Sequence, residues 1–423
     1  MKPFKCTNLS ANEISEIEFI IDHYGIDLHH FSKITLSLTP TDNKKDEFNI
    51  HHTNKFLKVT ANDLNGLKYG LYELKCRDYK HFNLHYHAQL RERAVMIDCG
   101  RKYFSVDFFK KLLDAMFVNE MNTLQLHFSD NEGFRIESDV IPEAVSSEFL
   151  TKKDIRIIVA YAHKLGIQIV PELDSPGHLK QVLTKYPQFK LANSNGLNIT
   201  DKRAIEWFKN ILREYFELFA DSKYFHIGGD EFVKFEKIDD YPELLSYAKE
   251  KIDPTASGID TYLQYLNDIA DFTEQNGFVP RIWNDGLFRQ EHEKTVVQLN
   301  SKCEIAYWTK WNIHMAPVQT FIDHGYQIIN YNDGYFYHVL GEAAEYKYPT
   351  PQRIAHWQIN EFPEYQYVRT ADMKNIKGQS LNVWCDKPDA QTEEEVLSAL
   401  IEYMPIIQGK EWCISSDATN IKE

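Results

Sequence analysis

From Ala94 onward the chain repeats one pattern: a short apolar run ending in a polar or aromatic residue, a loop, then a stretch whose apolar residues recur every three or four positions. In order, the apolar runs are AVMIDCG, TLQLHFSD, IQIVPELDSPGH, YFHIGGDE, VPRIWND, EIAYWT, YQIINYND and SLNVWCD. Between them lie amphipathic segments such as SVDFFKKLLDAMFV, TKKDIRIIVAYAHKLG, DTYLQYLNDIADFTEQNG and TEEEVLSALIEYM, several closed by the glycine expected at a helix end. Strand and helix alternating eight times over roughly 250 to 330 residues predicts an α/β fold, a closed (β/α)8 TIM barrel, with a doubly wound open sheet as the alternative.

Ahead of Ala94 the pattern changes. KITLSLT and KFLKVTA read as strands, and NGLKYGLYELKCRDY has helical spacing after a Gly-containing start. This predicts a small α/β domain over residues 1–90, followed by the barrel over 91–423. No Pro- or Ser-rich linker separates the two, so they are expected to pack firmly.

In a barrel of this kind the chemistry sits at the carboxyl ends of the strands. Those ends are heavily loaded here: Asp98, His127 with Asp130, Glu172 with Asp174 and His178, Asp230 with Glu231, Trp283 with Asp285, Trp308, Tyr331 with Asp333, and Trp384 with Asp386. A parallel barrel strand is mostly apolar along its length, so polar residues recurring at the same end of successive strands predict one shared pocket.

Composition narrows the partners. A net charge of −15 with scattered Lys and Arg repels phosphate backbones and anionic lipid, which argues against nucleic acid and membrane. No apolar core of signal-peptide length follows the amino terminus, so a cytoplasmic location is expected. The six cysteines lack metal-ligand spacing and suit reduced thiols. His81, His85 and His87 stand close together on a probable strand, but with no neighbouring Cys or carboxylate cluster no metal is assigned. No cofactor is expected either. Aromatic residues make up 13% of the chain, with 24 Tyr and 7 Trp, enough to supply flat surfaces for a sugar.

The segment HIGGDEF, residues 226–232, holds the central pair. Adjacent strand residues point to opposite faces, so Asp230 and Glu231 share a pocket only where the strand has already given way to a loop, and Gly228 and Gly229 make that easy. Two carboxylates held close split their pKa values, leaving an acid beside an anion, which suits cleavage of a glycosidic bond. The pentapeptide GGDEF is also the signature of bacterial diguanylate cyclases. That reading needs the turn on a hairpin and metal-binding aspartates upstream, where the chain offers only QFKLAN without flanking aspartates.

HIGGDE resembles the His-x-Gly-Gly-Asp-Glu motif of glycoside hydrolase family 20, the β-N-acetylhexosaminidases. RAVMIDCGRKYF is similar to the family's first-strand Arg-x-x-x-x-Asp-x-x-Arg segment, LQLHFSDNEGFRIE to its second-strand segment, PELDSPGH to its Asp-x-Pro-Gly-His segment, and GLKYGLYELKC to the helix closing its small domain. Several ordered motifs carry more weight than one.

The resemblance implies an exo-acting, retaining enzyme in which the substrate's own acetamido oxygen attacks C1, a departure from the two-carboxylate template. Carried over position by position, Glu231 resembles the acid and base, Asp230 the partner of the acetamido nitrogen, and Tyr337 the hydrogen-bond donor to its oxygen. Trp283, Trp308 and Trp384 resemble an aromatic box. Arg93 is matched to the arginine for the 3- and 4-hydroxyls, and Asp386 to the acid for the 4- and 6-hydroxyls. Asp130 and His178 resemble a pair supporting the acid, assisted by Asp174.

Competing readings stand beside these. Arg93 precedes its strand's apolar run, so pairing with a carboxylate at the barrel bottom is its alternative. His178 has a structural alternative, and Tyr331 and Asp333 leave the register around Tyr337 open. Val339 stands where the family often has Asp, and Asp386 where it has Glu. Both differences leave the choice between N-acetylglucosamine and N-acetylgalactosamine open. A lacto-N-biosidase, and a barrel glycosidase with Asp333 as nucleophile, are the other enzymatic readings. The expected partner is a small oligosaccharide or glycoconjugate.

Overall fold

All eight apolar runs become parallel strands that close on themselves. The computed structural model describes residues 4–40, 45–53, 55–77, 83–292 and 294–415. In chain order the barrel strands are Glu92–Asp98, Thr123–His127, Gln168–Ser175, Tyr224–Gly228, Val279–Trp283, Glu304–Tyr307, Gln327–Asn330 and Ile376–Trp384. Each pairs with its sequence neighbour, and the seventh pairs with the eighth, which pairs with the first. The sheet therefore has no open edge, and the doubly wound alternative is excluded. Every residue of the first strand is buried, as a strand with side chains inside the barrel on one face and helices on the other requires.

Register explains why polar groups meet at the rim. Asp98 lies opposite His127, His127 opposite Glu172, and Glu172 opposite His226, so residues at or near the carboxyl ends of four consecutive strands form one polar layer. A short strand, Tyr337–Val339, pairs in parallel with the upper part of the eighth strand, setting Tyr337 opposite Asn382 and Val339 opposite Trp384.

The helices follow their sequence signals. Ser105 caps Val106–Val118, accepting the Phe108 N–H. Thr151 and Asp154 form a capping box on Lys152–Leu165, which ends at Gly166 with φ +77°. The expected alternation thins in one place: residues 284–292 and 294–303, between the fifth and sixth strands, form a loop with a single 3-10 turn at Gln290–His292. The final helix, Glu393–Glu411, runs through Pro405, where the sequence pattern stopped at Met404. Proline removes one donor, but Met404 and Ile407 on either side are fully buried, and their packing carries the helix onward.

The small domain is a six-stranded mixed sheet flanked by the helices Ala11–His23 and Leu64–Cys76. Its last strand is not from the first 90 residues. Trp412–Ser415 returns from the barrel and pairs antiparallel with Asn83–Ala88. This strand, which follows the last barrel helix, thereby clips the two domains together. His85 and His87 lie on Asn83–Ala88, while His81 falls outside the described residues. Among the described residues no helix is long and apolar enough to cross a membrane.

Candidate active site

The fourth barrel strand ends at Gly228, and the backbone then turns sharply: φ is +78° at Gly228, +103° at Gly229 and +43° at Glu231. A side chain at Gly228 is blocked as well as strained, since a Cβ there would stand 1.7 Å from Asp174 Oδ1. Tyr262 donates its hydroxyl proton to the Gly229 carbonyl, and the Glu231 N–H donates to Asp285 Oδ2 at 3.1 Å. The turn brings both carboxylates to one pocket. Asp230 is buried, at 8% exposure, whereas the Glu231 side chain is 48% exposed.

His178 stands between them. Its Nε2 is 3.3 Å from Asp230 Oδ2 and 3.4 Å from Glu231 Oε2, and its Nδ1 is 3.1 Å from Asp130 Oδ1. Asp130 in turn meets His127 Nε2 at 3.0 Å and Arg101 Nη2 at 2.9 Å. His127 Nδ1 reaches Glu172 Oε2 at 3.0 Å, and Glu172 Oε1 accepts the Trp283 indole N–H at 2.8 Å. A continuous polar chain thus runs from the aromatic wall to the acid pair, inside the barrel mouth where water does not compete.

The ionisation states follow from that chain. Burial pulls His178 down, but Asp130 and Asp230 outweigh it and hold the imidazole well above its ordinary range. Burial alone would push Asp230 up; His178, and a hydrogen bond from Asp174, hold it below the usual carboxylate value. Asp174 goes the other way: burial first, and then the facing Asp230, push it well above the ordinary carboxylate value. Asp285 is pushed up to about 7, first by burial and then by Asp230 and Glu231. Asp230 is thus favoured as an anion between His178 and Asp174.

A cavity of ≈ 140 Å³ opens over this pair. Its walls include Trp283, Trp308, Tyr337 and Trp384. The Trp308 and Tyr337 rings lie parallel, with 6.0 Å between centroids and 2° between planes, and Trp384 lies 5.8 Å from Tyr337 and 6.1 Å from Trp283. Trp308 is fixed by its indole N–H, which donates to Asp285 Oδ1 at 3.2 Å. Asp285 therefore ties the backbone of Glu231 to one wall of the box.

Residues 91–398 match the family described as glycosyl hydrolase family 20, catalytic domain. The chain belongs to that family. Among curated proteins it is 26% identical over 329 residues to a lacto-N-biosidase of Bifidobacterium bifidum, covering 76% of this chain and 28% of that protein. It is 32% identical over 174 residues to the human beta-hexosaminidase subunit beta, covering 38% of this chain and 31% of that one. The chain thus spans less than a third of either relative. Among solved structures, a beta-N-acetylhexosaminidase from Bacteroides fragilis superposes with a TM-score of 0.75 at 21% identity, over 99% of this chain and 87% of that one. At that identity the likeness speaks for the fold.

In this family 20 pocket the structure gathers Asp230, Glu231, Tyr337, Asp130, His178, Trp283, Trp308, Trp384 and Asp386, with Asp174 directly behind Asp230. Arg93 is not among them, and the sequence expectation for it is corrected. It lies near the start of the first strand, fully buried, with its guanidinium on Asp46 and on the Glu120 and Leu90 carbonyls, beneath Trp412. Five strand residues at ~3.3 Å each put it about 16 Å below Asp98. The arginine at the rim is Arg101, held by Asp98 at 3.0 Å and by Asp130. It is the second arginine of the RAVMIDCGR segment, and the rule that chemistry follows a strand's carboxyl end would have selected it.

The open register is also resolved. Tyr331 is buried below the cavity, donating its hydroxyl proton to Gln125, whereas Tyr337 lines the cavity. Asp333 accepts from the Trp311 indole N–H at 2.9 Å and from the Tyr346 hydroxyl at 3.0 Å. Trp311 and Tyr346, absent from the sequence expectation, both line the cavity. GGDEF itself sits at the end of a parallel barrel strand and not on the hairpin a cyclase requires. Among the described residues one group brings three metal-capable atoms within 4.8 Å of one another: Asp174, His178 and Asp230.

Proposed function

We propose that this chain is an exo-acting, retaining β-N-acetylhexosaminidase that removes terminal β-linked N-acetylglucosamine or N-acetylgalactosamine by substrate-assisted catalysis through an oxazolinium intermediate. The observation that carries this is Asp230: a buried anion, held by protonated His178, standing beside half-exposed Glu231 inside an aromatic box. Such an anion suits an acetamido N–H that gains positive charge as its oxygen attacks C1. Tyr337 orients that oxygen, Glu231 protonates the leaving group and then activates water, and the tryptophans exclude solvent from the charged intermediate. Arg101 and Asp386 are the polar groups for the hydroxyls of the sugar.

Asp333 is poorly suited to the competing role of nucleophile, because its carboxylate is buried and committed to the Trp311 indole and the Tyr346 hydroxyl. The discriminating experiment compares aryl N-acetyl-β-glucosaminide with aryl β-glucoside, on the wild type and on Asp230→Asn and Asp333→Asn. Substrate assistance predicts a strong preference for the acetamido sugar and a loss of about 100-fold or more in kcat for Asp230→Asn. Equal cleavage of the glucoside, or loss of turnover in Asp333→Asn alone, overturns it.

A second reading, release of a disaccharide as by the Bifidobacterium relative, rests on 26% identity over 76% of this chain. Side-by-side assay of aryl N-acetylhexosaminides and an aryl glycoside of the type-1 disaccharide separates the two. We place the activity inside the cell, on short imported or recycled oligosaccharides, in keeping with the buried thiols Cys99, Cys303 and Cys385; fractionation of the native cells tests it.

A further inference from the structure

Two of the buried thiols occupy matching places on adjoining strands. The first and eighth barrel strands pair in register as far as Ile97 opposite Val383, so two residues further on Cys99 and Cys385 stand opposite each other at the rim. Both face outward. Val95, Ile97 and Cys99, like Leu381, Val383 and Cys385, belong to the main hydrophobic core, whereas Met96 and Trp384, from the alternate positions, pack inside the barrel mouth with Trp283 and Tyr337. The two strand ends also share a carboxylate: the Cys385 N–H donates to Asp98 Oδ2 at 2.9 Å, and Arg101 Nη1 donates to the same oxygen at 3.0 Å. Trp384 and Asp386, on either side of Cys385, line the sugar pocket with Arg101. A change in the spacing of these ends is therefore felt by three pocket residues at once.

We propose that Cys99 and Cys385 are a thiol pair that peroxide converts to a disulfide, closing the barrel covalently between its first and last strands and lowering activity until the bond is reduced. One sulfur attacks a peroxide oxygen and becomes a sulfenic acid, releasing water; the second sulfur displaces the sulfenic oxygen as a second water, so two thiols are oxidised and one peroxide is reduced. Neighbouring strands lie ~4.8 Å apart, whereas the Cβ atoms of a disulfide lie about 3.5–4.5 Å apart, so the bridge draws the strand ends together by up to about 1 Å. A misplacement of that size costs up to ~100-fold in rate. The pair reacts slowly, because burial, with Asp98 beside both, pushes each thiol well above its ordinary value and leaves little thiolate. The resting enzyme thus stays reduced, and sustained oxidant switches it off.

The test incubates the full chain with hydrogen peroxide, blocks the remaining thiols, and reads unreduced peptides by mass spectrometry beside kcat/KM on an aryl N-acetyl-β-glucosaminide. A peptide pair joined through Cys99 and Cys385, lighter by two hydrogens, accompanies a loss of about tenfold or more, and dithiothreitol restores both. Cys99→Ala and Cys385→Ala each remove the joined pair and the reversible loss, while Cys76→Ala, at an exposed thiol, keeps both responses. Absence of the joined pair from oxidised wild type, or a reversible loss that persists in both Cys99→Ala and Cys385→Ala, overturns the proposal. A bridge that forms with kcat/KM unchanged overturns its coupling to the pocket. A wild type that cleaves no aryl hexosaminide sinks the hexosaminidase reading instead, and the mass spectrum still decides the bridge.

Discussion

His178 Nε2 lies 3.3 Å from Asp230 Oδ2, and this contact decides the charge of the pocket. Burial works against an ionised Asp230, and the imidazolium, helped by the hydrogen bond from Asp174, outweighs it. Removing the cation in His178→Ala therefore lets Asp230 rise toward protonation in mild acid. The acid limb of the kcat/KM profile moves to higher pH, with a loss of about 10- to 100-fold at pH 5. A profile that drops uniformly, without moving its acid limb, counts against this role. The linked stability has the opposite direction: because folded His178 is raised, its contribution is complete below pH ~6.5 and is lost as pH climbs through the folded value.

Arg93 and Arg101 belong to one sequence segment and answer to different assays. Arg93→Ala strands Asp46 and two carbonyls in the interior, and costs about 3–5 kcal/mol of stability. Protein that still folds keeps its kcat/KM. Arg101→Ala loses a rim donor and, in protein that still folds, lowers kcat/KM by about 10- to 100-fold. Thermal melts and kinetics on both variants check the separation.

How these two arginines were confused marks the limit of what the sequence discloses. All eight strands were legible because a parallel barrel strand is apolar along its whole length and ends at a polar rim, a contrast local enough to read. Asp230, Glu231 and the three box tryptophans stand at those ends and were legible with them. Arg93 was misplaced because a motif match carries spacing but no direction along the strand. Trp311 and Tyr346 were missed since each is positioned by Asp333 across loops, and loop trajectories have no periodicity to read. The return of Trp412–Ser415 to the small sheet is a long-range pairing of the same kind.

Asp285 gives the folded protein a pH response of its own. With its carboxyl raised to about 7, the group favours the folded state fully below the ordinary aspartate range near pH ~3.9, and that contribution is lost as pH rises to about 7. The melting temperature accordingly falls between pH 5 and pH 8, and Asp285→Asn flattens that part of the curve. The same variant loosens Trp308 and the Glu231 backbone, so its KM rises. Identical pH–stability curves for wild type and variant remove Asp285 from the account.

Glu231 separates acid catalysis from everything else in the pocket, because the need for a proton depends on the leaving group. A sugar hydroxyl leaves as a strongly basic alkoxide unless protonated in the transition state, whereas a dinitrophenolate departs unaided. Glu231→Gln keeps the size and polarity of a side chain that is 48% exposed, and leaves the Asp230–His178 contact untouched. Attack by the acetamido oxygen is then unimpaired. Hydrolysis of the β-1,4-linked N-acetylglucosamine disaccharide should fall by about 10²–10⁴-fold, and oxazolinium formation from a dinitrophenyl N-acetyl-β-glucosaminide by far less. Turnover of the aryl substrate then becomes limited by attack of water, which also needs Glu231 as base, so a burst of dinitrophenolate precedes a slow steady state. Added azide, a nucleophile that needs no base, should speed that steady state and yield a β-glycosyl azide, the configuration that two successive displacements at C1 retain. An equal loss on both substrates, with no burst and no response to azide, would assign the proton to another group.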